Sequence, residues 1–77
     1  MAPFDRLLCK ISFLEDADVR TYVTHELLSN HKRDMTFLQA AYFLNKLIVN
    51  TPLTITDSKE MTKAMDLFMD RHEELSV

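Results

Sequence analysis

The chain has no glycine and no tryptophan, and only one cysteine and two prolines in 77 residues. Ordinary usage would supply about five glycines at this length. Glycine is the residue that takes positive φ and lets backbone approach a ligand closely. Its absence excludes a Gly-rich phosphate loop, a dinucleotide-binding turn and glycine hairpins, leaving helices joined by short connectors. The lone Cys9 excludes an internal disulfide and favours a reducing, cytoplasmic setting over a stapled secreted scaffold. No apolar run approaches the roughly 18 residues that a membrane span requires. The opening Met1-Ala2-Pro3-Phe4-Asp5 also lacks the basic and apolar regions of a signal peptide, so a soluble protein is expected. A formal net charge of −3 offers no basic footprint for nucleic acid.

What is present is ordinary globular material, 47% apolar and 27% charged, enough for one domain over residues 1–77 but near the lower size for a self-sufficient core. Helix packing or oligomerisation must then supply the stability. The pattern predicts an all-α bundle of four short helices, at about residues 3–14, 16–30, 34–50 and 57–75, with no sheet. Phe4, Leu7, Leu8, Ile11 and Leu14 recur at one-face spacing after Pro3, which suits a first helical turn. Glu15, Asp16 and Asp18 open the second helix, whose apolar face is Val19, Tyr22, Val23 and Leu27. Asp34 is the expected N-cap of the third helix; Thr56, Asp57 or Ser58 is that of the fourth, Asp57 with Glu60 having a capping-box spacing. Leu53-Thr54-Ile55 reads as an extended connector. Asn30 and Asn50 stand where glycine would normally end a helix in the left-handed conformation. Met61, Ala64, Met65, Phe68 and Leu75 share a face of the last helix.

The third helix departs from the usual amphipathic pattern. At 100° per residue its apolar arc covers about 240°, far beyond the ordinary stripe. Phe37, Ala40, Ala41, Leu44, Leu47 and Ile48 form one sector; Met35, Leu38, Tyr42 and Val49 form another, with Asn45 between them. The polar remainder is Thr36, Gln39, Lys46 and Asn50, interrupted by Phe43. Either the helix is wrapped on all sides by the others, or its second sector meets a partner. In the second case Asn45 would fix register as a seam asparagine does in coiled coils.

No residue set in the chain makes a catalytic, cofactor or metal site by its spacing. His25, His31 and His72 show no helix-borne i, i+4 pair and there is no CxxC. Cys9 has no evident activating base, and His72 reads as a structural residue on the apolar side of the last helix. Phe13, Leu28, Phe43, Leu67 and Met69 fall off their helices' main stripes and could join into a patch. Asp66, Asp70 and Glu73 follow one another at i, i+4 and i+7 as an acidic strip, suited to steering a partner. The His31-Lys32-Arg33 corner before the third helix has the outline of a helix-turn-helix, but the following helix offers a poor reading face. The expectation is a non-catalytic protein-binding module: an accessory factor, inhibitor or regulator, paired as a homodimer through the third helix. Leu38, Tyr42, Phe43, Asn45 and Val49 would form the interface and Asp66, Asp70 and Glu73 its acidic rim. A small helix-turn-helix-like DNA-binding regulator is the alternative.

Overall fold

The computed structural model describes residues 1–76 and contains four helices: α1 (Pro3–Ile11), α2 (Ala17–Asn30), α3 (Phe37–Asn50) and α4 (Ile55–Leu75). The all-α bundle expected from the sequence is what forms, with no strand among the described residues. At 1.5 Å per residue α4 is about 31 Å long and runs most of the 38 Å long axis of the molecule. The short 51–54 connection folds α3 back along α4 as a helical hairpin, the most extensive pairing in the fold. Alongside this hairpin lies α1, whereas α2 leans on α1 and touches the hairpin only lightly.

The core is one cluster drawn from all four helices. Phe4, Leu7 and Ile11 of α1, Val23 and Leu27 of α2, Ala40, Ala41, Leu44 and Leu47 of α3, and Met61, Ala64 and Phe68 of α4 are buried together. Burying a Leu- or Phe-sized side chain stabilises by about 1.5–3 kcal/mol, so the helices are held by these faces more than by propensity. Three residues expected in the core are instead exposed: Tyr22, Leu75 and Ile55, which the 53–55 connector was expected to tuck inward. The phenylalanine at the head of α3 joins three elements. Phe37 packs obliquely on Phe68 at 6.1 Å between centroids, and the guanidiniums of Arg6 and Arg71 stand 5.9 and 5.5 Å from its ring. Cation–π contacts of this kind favour arginine over a solvated lysine.

Helix boundaries follow the local capping chemistry, with several shifts from the sequence reading. α1 ends at Ile11 instead of Leu14. The Phe13 and Leu14 N–H groups close tight turns to Lys10 and Ile11, Leu14 drops into the core, and its carbonyl accepts from Arg20 at 2.7 Å. Within the acidic cluster that opens α2, Asp16 is the N-cap, accepting from the Asp18 and Val19 N–H groups. The N-cap of α3 is Thr36, not Asp34: its hydroxyl accepts from the Gln39 N–H while the Gln39 side chain accepts from the Thr36 N–H. This reciprocal box satisfies two otherwise orphaned donors. It pushes Met35 outside the helix and into the core.

The fourth helix starts earlier than expected. Thr54, not Thr56, Asp57 or Ser58, is its cap, so Ile55 is helical and the extended connector is shorter than the alternation suggested. Asn30 and Asn50 are not left-handed ends either, since no described residue has positive φ. Both are the last residues of their helices. The chain then leaves through extended His31 (φ −134°, ψ 154°) and Thr51 (φ −124°, ψ 129°), a geometry that any L-residue adopts without strain.

Asp57 is the one buried charged residue among the described residues, 2% exposed. Its N–H donates to the Thr54 hydroxyl at 3.0 Å, which frees its carboxylate to reach across the molecule. The Glu15 N–H donates to one carboxylate oxygen at 2.9 Å and the Asp16 N–H to the other at 3.3 Å. The first turn of α4 thereby clasps the entrance of α2, compensating for the weak packing of that helix on the hairpin.

Candidate protein-interaction surface

The hairpin with α4 fixes which side of α3 faces outward. Ala40, Ala41, Leu44 and Leu47 are buried, and Phe37 and Ile48 pack on the core from its edges. Of the second apolar sector, Met35 lies in the core and the remainder is open to solvent to differing degrees. Tyr42 is 62% exposed and Val49 72% exposed; Asn45 is exposed and Leu38 half-buried. On a helical wheel Leu38, Tyr42, Asn45 and Val49 lie within about 60° of one another, at the 4-3-4 spacing of a coiled-coil seam. None of the four carries a charge. α3 is therefore not wrapped on all sides, and the excess of apolar arc read from the sequence appears as a continuous uncharged strip facing solvent.

Phe43 belongs to the flank of this strip. It is half-buried and packs on the core, with the His31 ring meeting it edge-on at 5.2 Å between centroids. Tyr22, Glu26, Lys46, Leu47 and Asn50 join these two rings around a shallow cleft of about 140 Å³ between α2 and α3. On the other side of Phe43, a broader depression runs past His31, Gln39, Tyr42 and Lys46. The strip thus has a polar, uneven margin on its α2 side.

The acidic strip of α4 lies on a different helix and is fully outward. Asp66, Asp70 and Glu73 are exposed. The nearby cations of α4 pair with other carboxylates: Lys63 with Glu60 at 3.7 Å and Arg71 with Glu74 at 3.2 Å. Exposed pairs of this kind contribute little to stability, and the three carboxylates have no ion-pair partner among the described residues. The structure does not merge them with the α3 strip into one patch. Of the scattered apolar residues, Phe13, Leu28 and Leu67 are exposed, whereas Met69 packs on the core.

The basic corner is only partly free. Arg33 is 3.0 Å from Asp5 of α1 and its guanidinium lies over Phe4 at 5.6 Å. Thr36 and Gln39, two of the four polar residues that a recognition helix would present, are occupied with each other in the capping box. Cys9 is exposed and His72 half-buried. Among the described residues no three of His, Cys, Asp and Glu gather as metal ligands, and no helix is long and apolar enough to cross a membrane.

Two features escaped the sequence reading. The Asp57 clasp depends on partners more than forty positions away and has no local signature, although Thr54-x-x-Asp57 is itself a capping pattern that fixes where α4 begins. The cleft around Phe43 requires knowing that α2 stands off from the hairpin. Neither protein-family models, curated proteins nor solved structures give a match to this chain.

Proposed function

We propose that this chain is a non-catalytic protein-binding module of a reducing, cytoplasmic compartment. It acts through the outer strip of α3, in the first place by pairing with a second copy of itself, and serves as an accessory factor, inhibitor or regulator of a larger protein. The observation that carries the reading is the uncharged line of half-buried Leu38 and exposed Tyr42, Asn45 and Val49 on a helix whose opposite face is buried. Contiguous apolar surface on a small domain marks an interaction site more often than isolated exposed residues do. The strip has the anatomy of an interface core: an aromatic anchor, aliphatic ends, one polar residue and no charge. Phe43, Lys46 and Gln39 form its margin. The acidic strip Asp66, Asp70 and Glu73 on α4 gives a second surface whose contribution is to steer a basic partner.

Sedimentation equilibrium of the full chain from low to high micromolar concentration tests the reading. A reversible dimer is expected, and Tyr42→Asp, at an exposed position, should return it to monomer with its helical circular dichroism intact. A wild-type chain that stays monomeric throughout would remove self-association from the reading. A dimer indifferent to Tyr42→Asp and Val49→Asp would move the interface off α3.

A further inference from the structure

We infer that the cleft between α2 and α3 binds a small zwitterion, a quaternary ammonium joined by a short chain to a carboxylate. The site lies beside the α3 strip and does not rest on that strip being an interface. The cleft exists because α2 stands off from the hairpin, and helical spacing fixes what borders it. Tyr22 and Glu26 are one turn apart on α2, and Phe43, Lys46 and Leu47 stand at i, i+3 and i+4 on α3, so each set shares a face. His31 reaches the same opening from the extended exit of α2. The volume of about 140 Å³ is close to the roughly 150 Å³ that accommodates benzene in a protein cavity. That is room for one compact group and not for a drug-sized molecule.

The lining selects the group. The His31 and Phe43 rings meet at 84° with centroids 5.2 Å apart, so they form a corner and not a stack. Tyr22 adds a third ring. Aromatic walls set at an angle attract quaternary ammonium groups through the negative faces of the rings. Half-buried Glu26 brings a carboxylate to the same opening. Rings and carboxylate alone would suit any methylated ammonium. Lys46 narrows the choice, because its ammonium opposes a purely cationic ligand and complements one that also carries a carboxylate. Neither Glu26 nor Lys46 forms an ion pair among the described residues, although both border the cleft. Opposite charges held apart over buried Val23 and Leu47 match the two ends of one zwitterion. Water reaches and screens these charges, so binding is weak and ionic strength must be held constant when it is measured.

Heteronuclear NMR titration of the full chain with glycine betaine tests the assignment. Saturable shifts are expected at Tyr22, Glu26, His31 and Phe43, and none on the outer face of α4. Choline keeps the ammonium without the carboxylate, and tert-butylacetate keeps the carboxylate without the ammonium. Each should bind at least about threefold more weakly than betaine. Glu26→Gln and Tyr22→Leu lie outside the core, so both should fold, and each should weaken betaine by about threefold. Lys46→Gln, at an exposed position, should erase the preference for betaine over choline. Choline or tert-butylacetate bound as tightly as betaine by the wild-type chain overturns the inference. Betaine binding indifferent to both Glu26→Gln and Tyr22→Leu overturns it also, as does a titration without saturable shifts in the cleft.

Discussion

The second and third helices are the same length, 14 residues each, and each begins with a side-chain cap, yet the bundle treats them differently. Only Val23 and Leu27 are buried on α2, against Ala40, Ala41, Leu44 and Leu47 on α3. Despite burying more, α3 still leaves Tyr42 and Val49 in solvent. α2 buries fewer apolar residues, leaves Tyr22 and Leu28 in solvent, and is tied down also by polar means, through the Asp57 clasp on its entrance and Arg20 on the Leu14 carbonyl. α3 has more apolar surface than three neighbours can cover. The difference lies in how each helix is held: α3 by a buried apolar face, α2 by a few apolar contacts reinforced with hydrogen bonds across the fold.

Removing an anchor from each helix should break the comparison most visibly. Leu44→Ala and Leu27→Ala remove the same side chain from positions that are both fully buried, and each should cost about 2–5 kcal/mol. Leu44→Ala is expected at the upper end, because its site lies between two packed helices and cannot collapse, whereas lightly packed α2 can settle toward the void. Urea denaturation measures both, and equal losses would show α2 to be as integrated as α3. Asp57→Ala comes next. It strands two N–H groups at the α2 entrance, each costing about 1–3 kcal/mol if buried and unsatisfied, with partial relief from water. Hydrogen exchange should then quicken in α2 before α3. A global acceleration would mean that Asp57 supports the whole core and not that one helix.

Loss of the α3 capping box is a smaller change. Thr36→Ala should cost about 1 kcal/mol, read as a lowered melting temperature, while Thr36→Ser keeps the hydroxyl and most of the stability. The smallest effect on folding, and the sharpest on function, comes from two tyrosines. Tyr22 on α2 and Tyr42 on α3 are 61% and 62% exposed. Replacing either with Ala should change folding stability by no more than about 0.5 kcal/mol. Tyr42→Ala should nevertheless weaken self-association by about tenfold or more, as loss of an interface aromatic does, while Tyr22→Ala leaves it unchanged. Equal responses in sedimentation would erase the distinction between the two helices.

Much of this was legible before any coordinates. The α1 face, the acidic opening of α2, the end of α4 near residue 75 and the excess apolar arc of α3 all follow from the pattern along the chain. The errors cluster at helix starts. Asp34, Thr36, Thr54 and Asp57 are all acceptable caps, and the choice depends on which register brings Met35, Ala40, Leu44, Met61 and Phe68 inward together. Asn30 and Asn50 misled for a related reason: a helix can also end by turning into extended backbone, which needs no residue with positive φ. Tyr22 and Leu75 look like core residues on their own helices, but no neighbour reaches them.

The sequence by itself determined that this protein is helical and where its connectors fall. Those properties rest on interactions a few residues long: caps, i, i+3 and i+4 faces, and a missing glycine that removes most alternatives. Only the tertiary structure decided which apolar residues stay outside. Leu44 and Tyr42 are two positions apart on one helix, one buried completely and the other mostly in water, because burial depends on what packs from elsewhere in the chain. The Asp57 clasp has the same origin. A carboxylate finds its donors across the fold, and local sequence carries no record of that distance.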